Sequence, residues 1–294
     1  MEYISVRQFA EKHGISERTA RNYCATGKIE GAFLTGKTWN IPANAVVPGR
    51  KPKGKVSPLL LSLREQKSIR LKGGIYHRTQ IDLTYNSNHI EGSRLTHDQT
   101  RYIFETNTLG ITDTAVNVDD VLETVNHFRC IDYIIDHAEE APTEGLIKHL
   151  HLLMKSGTTD GQKDWFAVGD YKRMPNEVGG TDTCIPEDVH KEMTLLLKDY
   201  NAVKKQTLED ILDFHVRFER IHPFQDGNGR VGRLMMFKEC LANGHVPFII
   251  TDELKMFYYR GLREWGHING YLTDTCLTAQ DNYKSILDYF KIKY

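Results

Sequence analysis

Apolar residues recur at helical spacing along most of the chain from about residue 58 onward. One series, at i, i+3, i+4 and i+7 positions, consists of Leu208, Ile211, Leu212, His215 and Phe218. A second series, which stops at the helix-ending pair Asn243-Gly244, consists of Val231, Leu234, Met235, Phe237, Cys240 and Leu241. Both series predict helices, so the stretch between them, residues 222–233, is expected to be a loop that ends on a helix N-terminus.

The first 47 residues have a pattern of shorter elements. Ser5-Val6-Arg7-Gln8 is a capping-box sequence, which predicts a helix that closes at Gly14. Ser16 is the expected N-cap of a second helix. Two short apolar runs then flank Thr35-Gly36-Lys37-Thr38 and predict a hairpin. Two short helices followed by a hairpin indicate a small helix-turn-helix domain with a wing.

Residues 3–46 resemble the winged helix-turn-helix domains of the MerR and excisionase type. The resemblance implies that the second helix enters the major groove of DNA, with Arg18, Arg21 and Asn22 facing bases or phosphates. Lys37, on the wing, is expected to contact the DNA backbone. A protein-docking module that touches no DNA is the alternative.

Charge is distributed unevenly along the chain. Residues 1–55 hold ten Lys and Arg against four Asp and Glu, a net charge of +6, whereas the remainder holds 28 basic and 35 acidic residues, a net charge of −7. The basic stretch 48–57, rich in proline and glycine, is expected to be a linker that adds nonspecific affinity for phosphates. DNA binding by so small a domain predicts a homodimer.

The composition is that of an ordinary globular protein, with 40% hydrophobic and 26% charged residues. Neither an apolar run long enough to cross a membrane nor the apolar segment of a secretory signal is found in the sequence. The five cysteines include no CxxC pair and are expected to be reduced thiols. We therefore expect a cytoplasmic protein without a membrane partner.

The predicted loop, HPFQDGNGRVGR, gathers residue types suited to phosphate chemistry. A helix N-terminus offers amides without partners, and Gly227-Asn228-Gly229 lets the backbone curl around an anion. Arg230 and Arg233 add cationic donors, and Asp226 is a suitable ligand for Mg²⁺. His222 can take a proton near neutral pH. These parts together suit the attack of a hydroxyl on a nucleotide phosphate.

The same stretch matches the Fic family motif HPFxDGNGRxxR at every fixed position, and the resemblance covers about residues 75–290. Fic proteins are typically AMP transferases, which move AMP from ATP to a Ser, Thr or Tyr hydroxyl of a target protein. The resemblance implies His222 as the base, Mg²⁺ on Asp226 and Phe224 in the core beneath. It also implies contacts to the phosphates of ATP from Gly227, Asn228, Gly229, Arg230 and, at the γ-phosphate, Arg233. The intact glycine cradle favours AMP transfer over the phosphorylation of the Doc branch.

Two further segments fit the resemblance. Residues 166–186 resemble the family's flap hairpin, on which a target segment adds as an extra strand. The turn of this hairpin, near the nucleotide, is expected at Asn176, Glu177, Val178 and Gly179. Tyr258 and Tyr259 resemble the adenine-side tyrosine pair, although two core aromatics on a helix explain them nearly as well. Gly266 stands where relatives often carry an asparagine, so that adenine contact is left open.

A regulatory helix is expected at about residues 80–92. Ser87 and Glu91 lie four residues apart, hence on one helix face, and Gly92 follows. The pattern S-x-x-x-E-G resembles the inhibitory helix of Fic proteins in which this helix precedes the catalytic core. The resemblance implies that Glu91 pairs with Arg233 and occupies the charge needed for the γ-phosphate. In some relatives the same glutamate also supports removal of AMP.

These patterns favour a mainly α-helical protein with a winged helix-turn-helix at 1–47, a linker at 48–57 and a Fic-type domain at 58–294. The catalytic core is expected at about 115–245. The predicted function is an autoinhibited protein adenylyltransferase that uses ATP and Mg²⁺. Two alternatives stay open: a DNA-binding regulator whose Fic body only senses nucleotide, and a Fic enzyme that uses another phosphate donor.

Overall fold

The computed structural model describes residues 3–13, 15–29, 31–36, 38–43, 45, 56–110, 115–178 and 180–294. Within these ranges it contains twelve α-helices and two small antiparallel sheets, which confirms the mainly helical fold class. The chain divides into two compact units, residues 1–55 and 56–294. Lys37, Gly179 and residues 48–55 of the expected linker lie outside the described residues.

The first unit consists of β1 (Tyr3–Ser5), α1 (Val6–His13), α2 (Glu17–Ala25), β2 (Phe33–Thr35) and β3 (Thr38–Pro42). The strands form an antiparallel sheet in the order β1-β3-β2, with Thr35 opposite Thr38 as the hairpin pattern predicts. Ser5 and Gln8 exchange the hydrogen bonds of a capping box, and Ser16 caps α2. Strand β1 was not predicted, because three residues are too few for a periodic pattern.

A small apolar core holds this unit together. Phe9, Ala20 and Ile41 are fully buried and join the two helices to the middle strand. Arg18, Arg21 and Asn22 lie exposed on the opposite face of α2, as expected. Arg21 forms an exposed ion pair with Glu17, one turn away, at 3.3 Å.

The second unit is helical apart from one short hairpin. Its elements are α3 (Pro58–Ser68), α4 (Ile75–Ile90), α5 (His97–Thr106), α6 (Val118–Asp136), α7 (Glu144–Lys155), β4 (Glu177–Val178), β5 (Thr181–Asp182), α8 (Pro186–Ala202), α9 (Leu208–Ile221), α10 (Asn228–Asn243), α11 (Lys255–Glu264) and α12 (Gly270–Tyr289). The two helices predicted from the apolar series are α9 and α10, and Gly244 ends α10 in the left-handed conformation. None of the helices described is both long and apolar enough to cross a membrane.

Helix α10 is the central element of this unit. Thirteen of its sixteen residues are buried, and it packs against α4, α6, α7 and α9. A helix that is enclosed on all sides must pair its buried polar side chains. Arg230 pairs with Glu123 of α6, and Arg233 pairs with Glu91 at the end of α4, which places the end of α4 beside α10.

Candidate active site

His222 lies just after the last turn of α9. Its backbone is left-handed (φ 50°), so the chain turns sharply away from the helix axis. The ring Nδ1 lies 3.2 Å from the carbonyl oxygen of Glu219. Because a carbonyl can only accept, Nδ1 carries the hydrogen and the lone pair of the neutral ring is on Nε2. With 16% of its side chain exposed, His222 can present a basic nitrogen to a substrate.

The loop after His222 is held by its own side chains. The Asn228 side chain accepts from the Phe224 amide and donates to the Phe224 carbonyl, both at 2.8 Å. Phe224 is fully buried and stacks on His151, with ring centroids 4.0 Å apart. The Asn228 side chain is therefore used within the loop, whereas the prediction for this residue concerns its backbone amide.

The predicted anion cradle forms at the N-terminus of α10. Gly227 has a φ of 82°, in the left-handed region where glycine is favoured, and Gly229 lies in the first turn of the helix. A Cβ on Gly229 would lie 2.2 Å from Oε1 of Glu91. The Glu91 carboxylate thus rests directly on the backbone of the cradle, at the positive end of the helix dipole.

Arg233 binds the same carboxylate from the next turn of α10. Its Nη2 donates to Oε1 of Glu91 at 2.6 Å and to the carbonyl oxygen of Ser87 at 2.9 Å, while its Nε donates to Oγ of Ser87 at 3.0 Å. The ion pair expected from the sequence is therefore present, and Ser87 holds the guanidinium in place. Burial alone would lower the pKa of Arg233, but Glu91 raises it.

The Arg230 side chain, predicted to donate to the phosphates, is paired within the protein. It is buried and forms ion pairs with Glu123 of α6 and with Oδ2 of Asp226, the latter at 3.1 Å. Lys155 also donates to Oδ2 of Asp226, at 2.7 Å. Burial would raise the pKa of Asp226, but these two cations outweigh burial and hold that pKa well below its usual range. Asp226 is therefore an ionised carboxylate at neutral pH.

A buried carboxyl group lies beneath His222. Glu219 follows His215 by one helical turn, and its Oε2 is 3.9 Å from Nδ1 of His222. Burial raises the pKa of Glu219 to about 8, despite Arg233. Burial and Arg233 lower the pKa of His215 to about 3. Burial therefore favours the neutral form of both groups.

The flap hairpin differs in detail from the expectation. Glu177 and Val178 form strand β4, and Val178 pairs with Thr181 of β5, so these two residues belong to a strand and not to the predicted turn. Asn176 precedes the hairpin, and its amide accepts from Lys172 Nζ (2.7 Å) and donates to the Phe224 carbonyl (3.1 Å). Asn176 therefore ties the flap to the loop, whereas Glu177 and Val178 are exposed.

The tyrosine pair separates into one core residue and one surface residue. Tyr258 is 1% exposed, and its hydroxyl lies 2.6 Å from Nε2 of His215. Such a ring packs in the core and does not face a nucleotide, so the prediction for Tyr258 is corrected. Tyr259 keeps an exposed ring, and its hydroxyl lies 3.5 Å from the carbonyl oxygen of Ile90. Gly266, with a φ of 97°, follows Trp265, the C-cap of α11.

Several residues near the loop were missed by sequence reasoning: Glu123, Lys155, Asp160, Lys172 and Glu219. Glu219 could have been predicted from its spacing, because it follows His215 by four residues and His222 follows His215 by seven, which places all three on one face of α9. The others approach the loop from separate elements, and no local pattern indicates such pairing.

Comparison with known proteins assigns the domain. Residues 141–240 match the Fic/DOC family. This part of the chain is thus similar to a Fic domain. A protein adenylyltransferase Fic of Nematostella vectensis is 27% identical over 187 residues, which are 62% of this chain and 42% of the relative. The chain thus spans less than half the length of the curated relatives it matches first.

Solved structures share the fold of the Fic domain. A Fic-domain-containing signalling protein from Bacteroides thetaiotaomicron is 26% identical with a TM-score of 0.58, covering 78% of this chain and 90% of that one. A Fic family protein from Desulfovibrio desulfuricans is 21% identical with a TM-score of 0.59, covering 81% and 77%. The relatives that this chain matches in sequence are named protein adenylyltransferases.

Proposed function

We propose that the protein is an adenylyltransferase that moves AMP from ATP to a Ser, Thr or Tyr hydroxyl of a target protein. The observation that carries this proposal is the anion seat on α10, where a carboxylate rests on Gly229 and is bound by Arg233. A phosphate group, like that carboxylate, carries negative charge and oxygens that accept hydrogen bonds. The phosphates of ATP can bind at this position once the Glu91 carboxylate has moved away.

In the proposed reaction His222 acts on the target hydroxyl. Nε2 takes the hydroxyl proton while the oxygen attacks the α-phosphorus of ATP. The bond from that phosphorus to the bridging oxygen breaks, and pyrophosphate leaves. Gly227 and Gly229 allow the backbone amides of α10 to hold the phosphates, and Arg233 neutralises charge on the γ-phosphate. Pairing of a target segment with the flap beside β4 would bring the hydroxyl to His222.

Asp226 is suited to the proposed Mg²⁺. Its carboxylate is ionised and 49% exposed, which leaves room for a hard cation beside the cradle. Among the described residues no three acidic, histidine or cysteine side chains are grouped as a metal site. Mg²⁺ is commonly held by one or two carboxylates together with nucleotide phosphates and water. Bound there, Mg²⁺ would neutralise phosphate charge.

We further propose that Glu91 is an inhibitory residue. Its carboxylate occupies Arg233, which lies in the position proposed for the γ-phosphate. With Glu91 in place, an incoming γ-phosphate meets a negative charge and lacks its arginine, so that ATP binds with its α-phosphorus misaligned for attack. Inhibition by Glu91 therefore lowers the rate of the chemical step more than the affinity for ATP.

Labelled ATP tests the proposed reaction against its alternatives. The Glu91→Gly protein is incubated with Mg²⁺ and a cell lysate, once with ATP labelled in the α-phosphate and once in the γ-phosphate. Protein labelling from the α-phosphate alone supports AMP transfer. Labelling from the γ-phosphate alone indicates phosphorylation, and labelling from neither, with ATP bound, indicates a nucleotide sensor.

The pH dependence of transfer reports on the base. Burial lowers the pKa of His222, with Lys172 acting in the same direction, against the opposite effects of Glu91 and Asp226. Because His222 acts as a base only when neutral, activity is lost as the pH falls through this pKa. We therefore expect the acidic limb of kcat/KM for Glu91→Gly to have its midpoint below about 6.5, the usual pKa of histidine. A midpoint above that value would contradict the assignment.

The first unit is proposed to bind DNA as part of a homodimer. The exposed Arg18 and Arg21 on α2 are placed to contact phosphates or base edges. We expect the double change Arg18→Ala and Arg21→Ala in the full chain to weaken DNA binding and leave AMP transfer unchanged. The slope of log affinity against log salt should fall by about 1 for each lost phosphate contact.

The matched control for the DNA experiment is Arg7→Ala, an exposed arginine of α1 paired with Glu11. It should keep the wild-type salt dependence. If the wild-type chain has no salt-sensitive affinity for duplex DNA, the first unit is a protein-docking module.

A further inference from the structure

Lys155, the last residue of α7, has an arrangement that the proposed reaction does not use. Only 2% of its side chain is exposed, and its Nζ contacts three carboxylates. The distances are 2.5 Å to Glu123, 2.7 Å to Asp226 and 3.1 Å to Asp160. The Lys155 ammonium thus supplies positive charge to three carboxylates, one of which is Asp226.

The balance of charge around Asp226 depends on this lysine. Glu123, Asp160 and Asp226 carry three negative charges, against the two positive charges of Lys155 and Arg230. Asp160 has one more partner, the half-exposed Lys163, at 2.6 Å. Without Lys155, the cations next to the three carboxylates would be the buried Arg230 and the half-exposed Lys163.

We propose that Lys155 is a positioning residue that makes Mg²⁺ binding at Asp226 conditional on nucleotide. The ammonium satisfies Oδ2 of Asp226 and repels a second cation, so the carboxylate alone binds Mg²⁺ weakly. ATP supplies phosphate oxygens and negative charge, and the metal then binds with the nucleotide. This inference rests on the proposed role of Asp226 as the metal ligand. A purely structural Lys155 would contribute to stability without altering metal binding.

The test is Mg²⁺ binding to the full chain in the absence of nucleotide, by calorimetry and by the shift in Tm. We expect the Lys155→Met variant to bind Mg²⁺ at least about tenfold more tightly than wild type, because one unit charge beside the divalent ion is gone. Its Tm should rise with Mg²⁺ concentration, since a ligand that binds only the folded state stabilises it. Adding Asp226→Asn should abolish the gain.

Two controls separate charge from packing. Lys163→Met removes a charge from the same cluster at the surface and should bind Mg²⁺ as wild type does. Lys155→Arg keeps the charge and should also behave as wild type. Lys155→Gln gives the same test as Lys155→Met should the latter not fold. If neither neutral variant binds nucleotide-free Mg²⁺ more tightly than wild type, the proposal is wrong.

The readout is independent of AMP transfer. A protein that transfers no AMP but gains Mg²⁺ affinity in Lys155→Met would contradict the proposed activity and support the role of Lys155. A protein that transfers AMP but gains no Mg²⁺ affinity in Lys155→Met would contradict the role of Lys155 and leave the proposed activity supported.

Discussion

Replacing Glu91 with glycine is expected to raise AMP transfer by at least about tenfold, since misplaced reacting groups cost on the order of 10²-fold in rate. The change frees Arg233 and removes a negative charge from the phosphate seat on Gly229. Glu91 caps the end of α4 and is followed by Gly92 at a φ of 98°. Glycine fits this helix end, so the fold should tolerate the substitution. Autolabelling with ATP and Mg²⁺ measures the effect.

Two companion variants test whether the gain passes through Arg233. The double change Glu91→Gly with Arg233→Ala should lose most of the gain, because the released guanidinium is then absent. Glu91→Gln, which keeps the size of the side chain and removes its charge, should give a smaller gain than glycine because the seat stays filled. Equal labelling by wild type and Glu91→Gly, both on itself and in lysate, would show that Glu91 does not inhibit.

Replacing His222 with alanine in the Glu91→Gly background is expected to reduce transfer by about 10²–10⁴-fold, the usual effect of removing a general base. ATP binding should be largely retained, because the base acts on the incoming hydroxyl and not on the phosphates. Labelling of the target and equilibrium binding of ATP, measured on the same preparation, separate the two effects.

The backbone at His222 calls for a second variant. Its left-handed conformation is unfavourable for alanine but is tolerated by asparagine, so His222→Asn separates loss of the base from strain in the loop. Both variants should be inactive. Near-normal labelling by either one would contradict the assigned role.

The sequence predicted the helices of the site better than the contacts between them. Helices α9 and α10 follow from the apolar spacing that ends at Gly244, and the left-handed Gly227 follows from the glycine pattern. The contact between Glu91 and Arg233 was predicted only from the family resemblance, because the two residues are 142 positions apart in the sequence. Periodicity within one helix carries no information about its partner in another helix.

The errors have a common physical origin. The Arg230 side chain was assigned to the nucleotide because an arginine suits phosphate, but burial requires this side chain to pair within the protein. Tyr258 packs in the core for the same reason. The turn of the flap was misplaced because its strands have only two residues each. Residue type indicates possible chemistry, whereas the surrounding helices decide which atoms are available.

The intact mass of the Glu91→Gly protein after incubation with ATP and Mg²⁺ tests the central claim most directly. The account predicts an increase equal to one or more AMP groups, released as AMP by phosphodiesterase and absent when His222 is also replaced. An unchanged mass with ATP bound, or an increase equal to a phosphate group, would contradict AMP transfer.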